Sequence, residues 1–272
     1  MAERAFRFSV GIHGFKSRTA LQDKAKRLED SGFDALYLPD HLGAPAPFPG
    51  LTAIASVTSR VRLGTYVLNA GFYKPALLAR DAAELDKLSD GRLELGLGAG
   101  YVREEFEAAE LPYPTARQRV EYLEHVTVHL KKNLPTVPIL IAGNGNRLLT
   151  VAAQHADIIG LTGASSDSAD PLAERIEFIR EAAGDRFADL ELNLAITAVP
   201  SGDSDQADLT LTRRFVPGVS DEDLLAMPSV LTGSTSELAD TLRGYREKYG
   251  LTSFTFQENH AETIAKVIAE FR

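Results

Sequence analysis

PILIAGNGNRLLTVAAQHADIIGL, residues 138–161, holds a complete strand–turn–helix–strand unit. Residues 138–142 are a short apolar run, glycine and asparagine form the turn that follows, residues 146–155 carry helical spacing, and residues 157–161 return as a second apolar run. Strands joined through a helical crossover lie parallel, because the helix carries the chain back to the end where it started. The same unit recurs on both sides. Upstream strand candidates are 6–12, 35–38, 61–68 and 92–97; downstream ones are 190–199 and 253–256. Helical segments fall at about 51–59, 75–89, 115–131, 146–155, 171–183, 235–249 and 261–271. Leu21, Ala25 and Leu28 mark the face of one more, which should stop near Gly32. Eight alternating units in about 250 residues predict an α/β fold, one (β/α)8 TIM barrel over residues 1–272. A doubly wound sheet, the competing architecture, would carry fewer strands at this length.

Two helix starts are written into the chain. Ser234-Thr235-Ser236-Glu237 has the capping-box pattern, and Asp170-Pro171 sets an N-cap before a proline at the first helical position. The stretch from Ser201 to Ser234, with its acidic run and the prolines Pro217 and Pro228, reads as an elaborated crossover after strand seven.

Composition narrows the function. The 272 residues carry 29 Lys+Arg against 38 Asp+Glu, a net charge of −9, with 44% hydrophobic and 25% charged residues, as in ordinary globular proteins. The absence of cysteine excludes disulfides, thiolate metal sites, iron–sulfur clusters and a cysteine nucleophile. An acidic chain is a poor partner for nucleic acid. No apolar run approaches the roughly 20 residues of a membrane span, and residues 1–6 lack a secretory layout. The expectation is a soluble, cytoplasmic protein with no membrane or nucleic-acid partner.

In a barrel, residues just after the strands converge on one face. Those positions hold His13-Gly14-Phe15, Pro39-Asp40-His41, Leu68-Asn69, Gly98-Ala99-Gly100-Tyr101, Gly143-Asn144-Gly145-Asn146-Arg147, Thr162-Gly163 and Gln257-Glu258-Asn259-His260. The turn at Gly143 to Arg147 suits a phosphate: glycines admit close approach, the helix start offers free N–H groups and its positive dipole end, and Arg147 adds charge. The alternative is a tight turn that binds nothing. Leu148 stands where a dinucleotide fingerprint needs its third glycine. Gly96-Leu97-Gly98-Ala99-Gly100 leaves two readings open, a bare surface for a flat ring or close strand packing. His41 suits proton donation or a hydrogen bond to a cofactor carbonyl, although a structural histidine is the more ordinary case. His125 and His129 stand four apart without the glutamate of a zinc helix, so no metal site is expected. Nothing matches a serine nucleophile elbow or a P-loop.

The chain resembles the luciferase-like barrel superfamily, and within it the deazaflavin F420-dependent oxidoreductases. The resemblance lies in Gly32-Phe33-Asp34-Ala35-Leu36-Tyr37-Leu38-Pro39-Asp40-His41, Val61-Arg62-Leu63-Gly64-Thr65, Pro75-Ala76-Leu77-Leu78-Ala79-Arg80 and Leu85-Asp86-Lys87-Leu88-Ser89-Asp90-Gly91-Arg92. It continues through Gly96 to Tyr101 into Glu105-Phe106, through Ile139 to Gly145, through Ala156 to Leu161, and more weakly through Leu231 to Thr235. It implies a flavin-like ring across the barrel mouth, with Asp40, Leu68, Asn69, Gly98, Gly100, Thr162 and Gly163 among the cofactor-binding residues. The cofactor phosphate would rest on Gly143, Asn144, Gly145, Asn146 and Arg147. The resemblance also implies a bulge with a non-proline cis peptide near Leu68-Asn69, a ring or substrate contact for His41, and a homodimer. Tyr101 stands where the sugar-phosphate dehydrogenases of the superfamily carry glutamate, which argues against sugar-phosphate oxidation. Residues 133–137 alone replace the long insert that relatives place before strand five. That leaves either an open cleft for a bulky or peptide-like substrate or a barrel that has lost its cofactor.

Three functions follow. The first is an F420-dependent oxidoreductase acting on a small or peptide-like organic substrate, with reduction of C=C or imine favoured and His41, then Tyr101, as proton donor. The second is an FMN-dependent monooxygenase. The third is a cofactor-free binding or partner protein.

Overall fold

The computed structural model describes residues 4–162, 170–201 and 206–272. The chain runs β1 (Arg7–Gly11), α1 (Arg18–Asp30), β2 (Ala35–Leu38), α2 (Pro47–Ala55), β3 (Arg62–Thr65), β4 (Leu68–Asn69), α3 (Pro75–Leu88), β5 (Leu93–Gly98), α4 (Arg103–Ala108) and α5 (Ala116–Asn133). It continues with β6 (Ile139–Ala142), α6 (Asn146–His155), β7 (Ile158–Thr162), α7 (Pro171–Ala183), β8 (Glu191–Ala195), α8 (Thr210–Phe215), α9 (Asp221–Leu225), α10 (Thr235–Tyr249), β9 (Ser253–Gln257) and α11 (Ala261–Ala269). Every pairing between these strands is parallel, and β1 pairs with both β2 and β9. The far ends meet because β3 and β4 both pair with β5, so the sheet closes. This is the eight-stranded barrel read from the sequence.

Barrel strand three is interrupted, and this corrects the continuous strand expected at 61–68. Gly64 stands opposite Glu94 and Leu68 opposite Leu97. Three residues, Thr65 to Val67, therefore face two, Leu95 and Gly96, which is a bulge. A cis peptide bond joins Tyr66 to Val67. Two other expectations also shift. The second helix begins at Pro47, not near 51, because a proline in the first turn gives up an N–H that has no partner there. Barrel strand seven ends at Ala195, after which the chain turns to meet the crossover, where Ala198 bridges Val230. That crossover holds two short helices, α8 and α9, around a small core of its own: Ala198, Leu209, Leu224, Met227 and Val230. Residues 134–138 alone join α5 to β6, as the sequence indicated.

Alternation along the strands sorts the residues. Phe8, Val10, Leu36, Leu38, Leu63, Leu95, Ile141, Leu192, Phe254 and Phe256 are buried in the main core. The intervening positions, including Arg7, Tyr37, Arg62, Glu94, Glu191, Asn193, Ser253 and Thr255, line the barrel interior and bond to one another. Glu94, 1% exposed, accepts from Arg7 Nη2 at 2.8 Å, from Arg62 Nε at 3.0 Å and from the Tyr37 hydroxyl, while Arg7 Nη1 reaches Glu191 at 2.6 Å. Further along, the Tyr66 hydroxyl donates to Asn193 Oδ1 at 3.0 Å, and Asn193 Nδ2 donates to Ser253 and Thr255. The lumen is a hydrogen-bonded solid rather than a second oily core, which satisfies most of its buried polar groups; the buried Ser9 hydroxyl of β1 is left without a partner among the described residues.

The cap signals are present. Ser234 and Glu237 form the capping box of α10, Asp170 caps α7, and Gly32 follows α1 with φ +88°. No helix among the described residues is long and apolar enough to cross a membrane.

His260, at the turn into α11, is buried at 2% exposure, and its Nδ1 has no hydrogen-bond partner. Burial pushes it down to about 4, against the opposing pull of the Asp208 carboxylate. The unfolded chain takes up this proton near 6.5 and the folded chain only near 4, so the folded state is favoured above about 6.5 and loses ground as pH falls toward 4. The expected loss is on the order of 3 kcal/mol. Urea unfolding checks it: the stability difference between wild type and His260→Leu should fall by about 2–3 kcal/mol between pH ~7.5 and ~4.5. A difference that stays constant across that range would show that His260 titrates normally in the folded protein.

Candidate active site at the barrel mouth

The residues that follow the strands gather at one end of the barrel, in two stretches of different character. The first follows β1, β2, β4 and β5. His41, in the turn after β2, has its Nδ1 2.8 Å from Glu105 Oε1 on α4. A carboxylate oxygen accepts, so Nδ1 carries the hydrogen and Nε2 is left for another partner. The His41 side chain is 46% exposed and Glu105 only 15%. Tyr101 presents its ring edge to His41, with centroids 6.4 Å apart.

Asp40 faces the bulge. Its Oδ2 accepts the Asn69 N–H at 3.1 Å, and Asn69 Oδ1 in turn accepts the Gly71 N–H at 3.0 Å. Burial raises the Asp40 carboxyl above its ordinary value, opposed by hydrogen bonds from the Asn69 N–H and the Tyr73 hydroxyl. Asp40 and Asn69 thus hold the end of the bulged strand at the mouth. Leu68, by contrast, is fully buried in the core.

The glycine cluster of β5 resolves toward close packing. A Cβ on Gly96 would lie 2.0 Å from the Thr65 carbonyl oxygen, one on Gly98 2.7 Å from Val67 Cγ2, and one on Gly100 2.2 Å from Asn69 Oδ1. These missing side chains make room for the bulge. Gly100 also has φ +71°. Its carbonyl accepts Arg119 Nε at 2.8 Å, and the Tyr101 carbonyl accepts the Tyr113 hydroxyl at 3.1 Å. The Arg119 guanidinium lies 4.4 Å from the Tyr113 ring centre, completing a clamp on the backbone of Tyr101.

The second stretch follows β6 and β7. Gly143, at φ +152°, turns the chain out of β6, and its own N–H reaches the Gly160 carbonyl. Asn144 is tied to Thr162 twice, through its Nδ2 to the hydroxyl and through its Oδ1 from the backbone N–H. Gly145 is the N-cap of α6 and has no side chain to satisfy the helix's first N–H groups. A Cβ built on Gly145 meets nothing within 4 Å, so the space before the helix is open. Asn146 is held through Oδ1 by Arg175. Arg147 is exposed and makes no hydrogen bond or ion pair among the described residues. An open helix start with a free guanidinium one residue further on is a place for an anion. Gly163 lies outside the described residues.

Sequence reasoning found the turn and His41 but not the pairing of His41 with Glu105, nor the roles of Tyr73 and Arg119. The signals for Glu105 in the sequence are its place in the run from Gly96 into Glu105-Phe106 and its position one turn past Tyr101, at the first turn of a short helix.

Residues 6–262 match the model of the luciferase-like monooxygenase family. The chain is 30% identical over 157 residues to the 5,10-methylenetetrahydromethanopterin reductase of Archaeoglobus fulgidus, an alignment covering 50% of this chain and 47% of that protein. It is 34% identical over 169 residues to the F420-dependent glucose-6-phosphate dehydrogenase of Nakamurella multipartita, covering 57% and 49%. The chain therefore spans about half the length of these curated relatives. The fold is shared with an F420-dependent secondary alcohol dehydrogenase solved with an F420–acetone adduct, at a TM-score of 0.80 and 17% identity over 99% of this chain and 100% of that one.

Proposed function

We propose that this chain, which belongs to the luciferase-like monooxygenase family, is an F420-dependent oxidoreductase that reduces an organic substrate at a conjugated C=C or an imine. The observation that carries this reading is the start of α6: an uncapped helix, open space at Gly145 and an unpaired Arg147. That donor set fits the phosphate of a flavin-like cofactor. The similarity to F420-dependent glucose-6-phosphate dehydrogenases adds support for the deazaflavin. When bound, F420 supplies or accepts the hydride.

The rest falls to side chains. Gly143, Asn144, Gly145, Asn146, Arg147, Thr162 and Gly163 would hold the cofactor's phosphate end. Asp40 and Asn69 would fix the backbone behind the ring. Gly98 and Gly100 let that backbone come forward, and Leu68 backs it from the core. His41 would give a proton from Nε2 to the substrate atom adjacent to the reduced carbon, with Glu105 stabilising the imidazolium that precedes the transfer. In this reading the protein works in the cytoplasm as a homodimer.

Titration of purified protein with F420 and FMN side by side tests the reading. F420 should bind saturably, and Arg147→Glu should weaken it by about tenfold or more. A yellow, oxygen-reactive protein that binds FMN alone would make it a monooxygenase instead. Binding of neither cofactor would remove redox chemistry from the barrel.

A further inference from the structure

Two side chains that meet the His41 ring, Tyr101 and Glu105, arrive on one loop. They lie between Gly100, where the chain leaves β5, and Pro114, just before α5. The loop carries α4, a helix of six residues with no side-chain cap at its start. Its two ends meet on a single side chain. Arg119, half-buried in the first turn of α5, donates from Nε to the Gly100 carbonyl at 2.8 Å and from Nη1 to the Pro114 carbonyl at 2.6 Å. A guanidinium suits this place because its fork holds two acceptors at once, in fixed directions. No carboxylate pairs with Arg119 among the described residues, so the two carbonyls and a neighbouring ring are what hold it.

That ring is Tyr113, whose centre lies 4.4 Å from the guanidinium and whose hydroxyl donates to the Tyr101 carbonyl at 3.1 Å. The contact continues inward. Tyr113 meets Phe106 edge-on with centroids 5.3 Å apart, and Phe106, 1% exposed, packs on Phe72 at 5.3 Å. A Cβ on Gly71 would lie 2.7 Å from Phe106 Cε1, so bare backbone makes room for that ring. Glu105 is the residue before Phe106. Seating the ring therefore fixes how far the neighbouring carboxylate reaches toward His41.

We propose that Arg119 is a positioning residue for the reduction. By joining residues 100 and 114 it closes the loop and, through Tyr113 and Phe106, holds Glu105 on Nδ1 of His41 and Tyr101 against its ring. Without that clasp the loop ends gain freedom, and closing them again costs entropy each time Glu105 meets His41. Its action is through His41 rather than on the substrate. The catalytic consequence rests on the hydride-transfer reading; the effect on His41 stands without it.

Two measurements separate them. The first needs no cofactor: nitrogen–proton NMR correlation of the His41 ring at about pH 8.5, above the usual titration range of imidazole, reads which nitrogen carries the hydrogen. Wild type should show the Nδ1–H form. Glu105→Ala, which removes the acceptor, should lose it, and Arg119→Ala should move the signal most of the way to that of Glu105→Ala. Arg119→Lys, which keeps the charge without the fork, should fall between. The second is the rate of cyclohex-2-enone reduction with reduced F420. Arg119→Ala should lower kcat by about tenfold, leave F420 affinity within roughly threefold, and cost less than about twofold in a His41→Ala background. An unchanged His41 signal in Arg119→Ala, or in Arg119→Lys if the alanine variant does not fold, overturns the proposal. So does a loss of rate that is equal with and without His41, the mark of a merely structural residue. A tautomer that depends on Arg119 in a protein that binds no F420 would uphold the positioning and sink the redox reading.

Discussion

Replacing His41 with alanine is expected to lower kcat/KM for substrate reduction by about 10²–10⁴-fold while leaving the affinity for F420 within roughly threefold. The reason is the division of labour at its two nitrogens. Nδ1 is committed to Glu105 at 2.8 Å, which fixes the tautomer and ring plane. In the proposed reading, Nε2 is then the nitrogen that meets substrate. Alanine removes the proton carrier, yet it leaves the α6 start, Arg147 and the bulge untouched. Glu105→Gln should cost less, about tenfold, because the amide still accepts from Nδ1 but no longer stabilises the imidazolium. Steady-state rates followed at the deazaflavin absorbance, with F420 affinity measured separately, decide the matter. A His41→Ala enzyme within threefold of wild type would remove the histidine from the chemistry.

The second large effect is on stability. Glu94→Gln is expected to destabilise the fold by about 2–4 kcal/mol, a fall in Tm of roughly 5–12 °C. Glu94 is the one carboxylate that binds Arg7, Arg62 and Tyr37 together inside the barrel. Removing a buried partner strands the opposite charges, which typically costs about 3–5 kcal/mol. The lower figure here reflects Arg7 and Arg62, which remain 21% and 32% exposed at the side chain, and the salt bridge that Arg7 keeps with Glu191. Thermal and urea unfolding of the variant give the answer, and a change under about 0.5 kcal/mol would mean that water already serves these groups.

Much of this architecture is local, and local features are what a sequence displays. The capping box at Ser234 and Glu237, the proline after Asp170 and the glycine turn after β6 each act within a few residues. The eight-unit barrel followed from such signals. The polar lumen was also present in the text, as the alternation Arg7-Phe8-Ser9-Val10 and Ser253-Phe254-Thr255-Phe256. Which of its polar groups meet was not, because Arg7 and Glu94 lie 87 positions apart and Tyr66 and Asn193 lie 127 apart. The same holds for His41 and Glu105, 64 apart. The start of α2 was hidden by Pro45, Pro47 and Pro49, which read as loop, whereas Pro47 opens the helix. The glycines of β5 left two readings open because their purpose lies in a neighbouring strand: only the position of Thr65, Val67 and Asn69 shows why no side chain fits there.

The bulge in barrel strand three has a consequence for how this chain tolerates change in length. Within it, Tyr66 points inward to Asn193; above it, Leu68 lines up with Leu97 in the outer core and Asn69 with Gly98 at the mouth. One supernumerary residue therefore sets the parity of everything up to the first turn of α3. Deleting a single residue from the bulge would leave two residues facing Leu95 and Gly96, a regular ladder in which Leu68 keeps its place opposite Leu97. The strand can therefore lose one residue there, and nowhere else along its length, without changing which side chains a ligand at the mouth would meet.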